Sequence, residues 1–403
     1  MQPDLKRPRF RISLRTALVL FTVVCLAIGL LFQWRQRALQ QRNLVLLLGS
    51  VYQNDVKFIY DFQSKDDLVR ESLFSSSPTW WGRSWRLDFV HRLVEIRFFA
   101  PANSRHLVLE SVPSIESLEL HEGFAEASGW PLVFQNQNLK SLVLLPGRDL
   151  SLWNLTETSD KVNRLKNISK LSRLTDFHID FSGMNRSEIE EILRHPALET
   201  IRLTGYQHHS ELLGESLCHS QSIKSLFLYR NEANVESLKP LLEALPNLEF
   251  LAIEHAQTLL SSTLDDSIFD QIAKLKSLKQ LFLHGSQIKG HQLEIIRHLP
   301  LERLGLGVSH LDDVGAAQLT LLEKVNYLEV GSTKITDVGL TSIANMSRLE
   351  YLSIRDTPTT DDGLAELTKL ENLRMLRIRS TRLTDKGVQA FRRQRPMCVV
   401  EVW

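Results

Sequence analysis

At 403 residues the chain has room for two or three ordinary domains, or for one repeat array with accessory segments. The composition is globular, with 43% hydrophobic and 24% charged residues, and a formal net charge of +1 leaves no electrostatic footprint for nucleic acid. No nucleic-acid partner is therefore expected. The cysteines Cys25, Cys218 and Cys398 fit neither zinc spacing nor a disulfide framework, so neither a metal nor a redox compartment follows from them.

Thr16 to Phe32 (TALVLFTVVCLAIGLLF) is an uncharged apolar run at the short end of what spans a bilayer. Lys6, Arg7, Arg9, Arg11 and Arg15 precede it, while Arg35, Arg37 and Arg42 follow. The heavier positive flank is N-terminal, which favours an anchor with its N-terminus in the cytoplasm and the remainder outside. Trp34 falls where an interfacial aromatic lies. A cleaved signal peptide, using Ala27-x-Gly29, and a buried helix are the alternatives. The expected organisation is a basic cytoplasmic tail over 1–15 and a transmembrane anchor over 16–34. A juxtamembrane helix and N-terminal cap follow over 35–92, and a repeat domain over 93–403.

Gln33 to Gly49 reads as helix and Val56 to Phe62 as strand. Ser75-Ser76-Ser77-Pro78 marks a loop before Trp80, Trp81 and Trp85, which are expected to close the open end of the array. Weak strand frames stand at Leu93-x-x-Ile96-x-Phe98 and Leu107-x-Leu109.

From Ile115 the frame firms up. Starts fall at Ile115, Leu139, Leu174, Leu198, Ile223, Leu248, Leu278, Leu301, Val325, Leu349, Leu373 and Met397, mostly 23 to 25 residues apart. Two longer intervals carry insertions around Asp149–Lys166 and Leu259–Asp266. One L-x-x-L-x-L strand cannot bury its own face, so successive copies must stack on a shared core. On that stack Cys218 and Cys398 lie about seven rungs, or ~35 Å, apart and cannot bond. After the strand comes a short polar residue (Asn231, Ser286, Ser309, Thr333, Thr357, Thr381), suited to bonding backbone groups at the turn. Thr336-Asp337, Asp361-Asp362 and Thr384-Asp385 supply N-cap chemistry for a returning helix. Apolar pairs such as Leu340/Ile343 and Leu364/Leu367 pack that helix on the sheet. The last five copies are expected to return as helices.

These ITDxGLxxLxxLxxLxxLxL units resemble the leucine-rich-repeat family, in the subclass similar to ribonuclease-inhibitor-like and F-box-associated repeats. With an anchor in front, the whole resembles bacterial membrane-anchored leucine-rich-repeat proteins. The resemblance implies an α/β solenoid with a parallel concave sheet and a helical convex side, and recognition of protein partners on the concave face. No F-box-like helical module is visible upstream.

Side chains alternate along a strand, so positions three, five and seven of each copy face the concave side. That column map offers Ser117, Glu119 and His121, then Asp176, His178 and Asp180. The candidate protein-binding residues are Phe227, Tyr229, Phe250, Phe282, His284, Tyr327, Tyr351, Arg355, Arg377 and Arg379, and Glu329 stands on the same map beside Tyr327. Aromatics and arginines on consecutive rungs have the make-up of a binding hot spot, and the C-terminal arginines favour a partly acidic ligand. Asp176, His178 and Asp180 have metal-binding or general-base chemistry, but lack a further ligand. Thr200, Arg202 and Thr204 lie beside them, and Arg202 is expected to pair with Asp176 or Asp180. Gly305-Leu306-Gly307 follows the repeat frame rather than a dinucleotide loop, and no H-E-x-x-H, G-x-S-x-G or P-loop pattern occurs. Sequons at Asn154, Asn167, Asn185 and Asn345 matter only on a eukaryotic secretory route. The sequence thus points to a membrane-tethered, non-enzymatic recognition module without a cofactor. Alternatives are an enzyme regulator of the ribonuclease-inhibitor-like type, soluble or facing the cytoplasm, and a metal-dependent hydrolase.

Overall fold

A computed structural model describes the strands at 56–60 and 93–98, residues 115–121 and 136–145, and 165–402 apart from short gaps. The gaps are 166, 181–183, 185, 206–216, 232, 256–263 and 380–381. The tail, the anchor, the helix expected over 33–49, the tryptophans Trp80, Trp81 and Trp85, and Leu107-x-Leu109 lie outside the described residues. So do most of both insertions, and the side chains of His121, Asn231 and Thr381. No helix among the described residues is long and apolar enough to cross a membrane.

The strands form one sheet in chain order. They are β1 (Val56–Tyr60), β2 (Leu93–Phe98), β3 (Ser117–His121), β4 (Ser141–Leu145), β5 (Asp176–Asp180), β6 (Thr200–Thr204) and β7 (Ser225–Asn231). They continue through β8 (Phe250–His255), β9 (Gln280–His284), β10 (Arg303–Gly305), β11 (Tyr327–Glu329), β12 (Tyr351–Ser353), β13 (Met375–Arg377) and β14 (Val399–Glu401). β1 runs antiparallel to β2, and each later pair is parallel. From β3 onward every strand begins two residues after the frame start read from the sequence. The spacing of leucines thus translates directly into register.

One column shows why the rungs stack. Leu226, Leu251, Leu281, Leu304, Leu328, Leu352 and Leu376 are register partners, and each is fully buried. Burying such a side chain contributes about 1.5–3 kcal/mol, and only the adjacent rungs supply the cover. The frame fails at its last start. Met397 is 89% exposed, and the adjacent Cys398 is buried instead.

The chain leaves the sheet through one residue in the left-handed region: Gly285, Val308, Ser332 and Asp356 in successive rungs. The expected short polar side chain follows. Ser286, Ser309, Thr333 and Thr357 are buried, and each hydroxyl donates to the carbonyl three residues back. A buried carbonyl that has left the ladder is thereby satisfied.

Returning segments follow on the other side of the sheet. They are α1 (Arg186–Leu193), α2 (Val235–Glu243), α3 (Ile268–Ile272), α4 (Asp313–Leu319), α5 (Asp337–Ile343), α6 (Asp361–Glu366) and α7 (Asp385–Gln394). All are too short to persist alone and depend on packing against the sheet. The rung starting at Leu278 departs from expectation and returns as a 3-10 turn, Leu293–Ile296. It lacks the Thr-Asp start, and its N-cap Gln292 makes no capping bond. The N-cap assignment also needs correction at Asp361-Asp362, where Thr360 is the cap.

The adjacent aspartate has a different task. Asp313, Asp337 and Asp361 each reach one rung onward, accepting the N–H and hydroxyl of Thr336, Thr360 and Thr384. This geometry needs the glycine of each Thr-Asp-x-Gly unit. A Cβ on Gly363 would collide with the Asp337 carboxylate and stand 3.0 Å from its Cα. Glycine costs a helix about 1 kcal/mol relative to alanine, so the ladder of aspartates explains its presence. On the opposite rim, surface pairs such as Lys224–Glu199 (3.0 Å) and Lys279–Glu249 (2.6 Å) add at most about 1 kcal/mol each.

Gly363→Ala is expected to destabilise the chain by about 1–3 kcal/mol despite the better helix propensity of alanine. The loss should shrink in an Asp337→Ala background, which a double-mutant cycle in urea would reveal. The Asp361 carboxyl is held below its ordinary value, first by the Thr384 hydroxyl and then by the Thr384 N–H. A depressed folded pKa contributes stability above the unfolded value, and that stability is lost as pH falls through the folded one. Asp361→Asn should therefore remove part of the acid-induced fall in the urea midpoint below about pH 4.

Candidate site on the open sheet face

Parallel in-register strands bring equivalent side chains to ~4.8 Å spacing, close to the distance at which flat groups stack. On the open face, between the inward leucines, two neighbouring columns bring flat groups together into a ladder: Arg202, Phe227, Phe282 and Arg377 stand in one, and Phe250, Arg303, Tyr327 and Tyr351 in the other. Phe227 stacks on Phe250 with centroids 4.4 Å apart, and Phe250 on Phe282 at 5.7 Å. Tyr327 and Tyr351 lie 4.0 Å apart and only 5° from parallel. Phe282 meets Tyr327 edge to face at 6.2 Å, joining the two stacks. Tyr229 adds a side contact to Phe227 at 5.9 Å and another to His178 at 6.1 Å.

Guanidinium groups complete it. Arg303 lies 4.0 Å from the Tyr327 centroid and 6.0 Å from Phe282, bridging the junction. Arg202 covers Phe227 at 4.8 Å, and Arg377 stands 5.8 Å from Tyr351 at the far end. From Arg202 to Arg377 the stack runs unbroken across the rungs from β6 to β13. The rings are half-buried, with their faces occupied by one another and by arginine. Their edges are what the surface presents.

All ten residues expected to face this side do so, but they are not equally available. Arg377 is already paired with Glu401 at 2.5 Å. Arg379 is 66% exposed and only 3.9 Å from Asp356. Arg355 is exposed and makes no ion pair among the described residues. His284 lies edge-on to Phe282 at 6.0 Å, with Nε2 3.6 Å from Glu329 Oε2. Glu329 accepts the Tyr327 hydroxyl and, at 3.5 Å, that of Tyr351. Burial, and then the bond to Glu329, push the Tyr327 phenol well above its ordinary pKa.

Arg303 and the role of Gly305 went unrecognised in the sequence. Arg303 shares a column with Phe250, Tyr327 and Tyr351 once the 23- and 24-residue intervals are aligned, so its position was readable. The glycine's role was not, because it depends on which neighbours lean over it. Any Cβ at Gly305 would strike the Phe282 ring.

The acidic trio on β5 resolves into separate contacts. Asp176 pairs with Arg202 at 2.5 Å, as expected, and His178 Nε2 lies 2.9 Å from the Thr204 hydroxyl. Asp180 is buried. Among the described residues no group of three or more His, Cys, Asp or Glu side chains could hold a metal ion.

Arg303→Ala is expected to cost about 0.5–2 kcal/mol through loss of the guanidinium at the junction. Arg303→Lys should recover only part, since an ammonium does not lie flat between rings. Urea unfolding of the three chains measures both.

No family model matches the chain, and no curated protein matches it. Among solved structures it is similar to an internalin (inlF) from Listeria monocytogenes at 17% identity, over 67% of this chain and 82% of that one, with a TM-score of 0.38. It is similar to internalin C2 (inlC2) of the same organism at 20% identity, over 53% and 74%, with a TM-score of 0.32. A third similarity, at 16% identity and TM-score 0.45, is to TLR13 in its complex with ssRNA13, over 70% of this chain and 41% of that one. The fold itself rests on the rungs: a leucine strand facing inward, a left-handed exit, a buried hydroxyl and a return across the back of the sheet, repeated at a near-constant period. By that construction the chain is a leucine-rich-repeat solenoid.

Proposed function

We propose that the chain is a membrane-tethered, non-enzymatic recognition module whose open sheet face docks a protein or peptide carrying acidic residues. The carrying observation is the pair Arg355 and Arg379. They occupy neighbouring rungs beside Tyr351 and the ring stack, and both heads are exposed. Ring edges beside exposed guanidiniums suit apolar side chains with a carboxylate at one end.

Protein is favoured over single-stranded nucleic acid by the stacking itself. A nucleobase needs a free aromatic face, and here the faces are covered by neighbouring rings and by Arg202, Arg303 and Arg377. Tethering rests on the apolar run Thr16–Phe32 and its basic N-terminal flank, with the N-terminus cytoplasmic and the repeats on the outer side.

Crosslinking in native membranes, with the trapped partner identified, is the direct experiment. Arg355→Glu with Arg379→Glu should lower affinity for that partner tenfold or more, about 1.4 kcal/mol, without changing the unfolding midpoint. Unchanged affinity would remove the open face from the interaction. Trapping of RNA in place of protein would overturn the partner class. Reporters fused at Trp403 that work on one side of the membrane only would test the orientation.

A further inference from the structure

His284 on β9 and Glu329 on β11 belong to strands that are not neighbours, since β10 runs between them. They approach to 3.6 Å because the intervening rung carries Gly305. A Cβ there would lie 2.7 Å from His284 Nε2 and would strike the Phe282 ring as well. The same Nε2 is shielded from solvent and has no hydrogen-bond partner among the described residues. On its other side Glu329 accepts from Tyr327 and Tyr351, whose rings form the tightest stack of the ladder. The hydroxyls meet this carboxylate at Oε1, and the imidazole faces it at Oε2. While the imidazole is neutral, the hydroxyls hold it. An imidazolium would form an ion pair with Oε2 after closing a gap of under about 1 Å, and that movement of the carboxylate draws Oε1 away from the hydroxyls.

We propose that protonation of His284 draws Glu329 Oε2 to the imidazolium and loosens the Tyr327 and Tyr351 hydroxyls from Oε1, and that this exchange regulates docking on the open face. The regulatory half rests on the docking role proposed above. The charged and titratable groups around His284 are Glu254 from β8, Arg303 from β10, Glu329 and Tyr327 from β11, Tyr351 from β12, and Arg355 just beyond β12. Burial opposes the charged imidazole most strongly, Glu329 and Glu254 favour it, and Arg355 opposes it. The balance holds His284 below the ordinary histidine range, so the ring is neutral at pH 7 and takes up its proton only on acidification. Its lowered folded pKa also means that the contribution of the neutral ring to stability is lost as pH falls below the unfolded value. The exchange unpins two rings at the centre of the surface that a partner meets.

The test is NMR of the full chain with 13C-labelled histidine and tyrosine, titrated from about pH 8 to pH 4.5. His284→Gln and Tyr327→Phe assign the signals. The Tyr327 and Tyr351 ring signals should move with the midpoint of His284. Glu329→Gln, which keeps the histidine in place, should lower that midpoint by about one unit or more and hold the tyrosine signals still. Tyrosine signals that stay flat through the His284 midpoint, or that move unchanged in His284→Gln, would overturn the exchange. Tyrosines that follow His284 in a chain that traps no protein on this face would sustain the exchange and overturn its regulatory use.

Discussion

The leucine spine governs everything else, because it sets a single distance. Each rung can bury its inward leucines only against the rungs on either side, so the strands settle in register at ~4.8 Å. That spacing is then imposed on every outward column, whatever occupies it. Register partners such as Arg202 and Phe227, or Tyr327 and Tyr351, stack directly, while Phe227, Phe250 and Phe282 meet by alternating between two neighbouring columns. Arg303 fits the rule because a guanidinium is as flat as a ring. The open-face ladder is therefore a by-product of core packing that selection of side chains has turned into a surface.

The same spacing works on the back of the sheet through different chemistry. There the aspartate at the start of one helix caps the start of the next, so a contact 23 residues away in sequence replaces a local one. The glycine that makes room for it looks, in isolation, like a poor choice for a helix. Viewed between two rungs it is required. The two ladders fasten the C-terminal rungs to each other from both sides, one through charge-assisted hydrogen bonds and one through rings.

Much of this was legible in the chain. The strand frames were readable because leucine spacing and register express the same constraint, and each strand from β3 onward begins two residues after its frame start. The ten open-face residues were readable because alternation leaves no choice of side. Three features escaped for physical reasons. Met397 fits the frame but is exposed, with the neighbouring Cys398 turned into the core instead. The return at Leu293–Ile296 tightened to a 3-10 turn where the Thr-Asp start is missing. Arg377 counted as a free cation until β14 placed Glu401 beside it. The pairing of Arg377 concerns contact between rungs, which a pattern read along one rung does not carry.

The rung at β10 is where periodicity gives way, and the consequence is specific. In the aromatic and aspartate ladders a side chain answers to the rung before it or after it. At Gly305 the column is empty, so Phe282 and His284 lean across it toward Tyr327 and Glu329. A contact that skips a rung cannot come from the repeat itself, because a consensus side chain at that position would abolish it. It also gathers into one place the histidine, the carboxylate and the two hydroxyls that titrate or hydrogen-bond, while the neighbouring columns remain aromatic. A solenoid whose rungs were interchangeable would have no centre. This one acquires a centre where a single missing side chain lets three rungs act together.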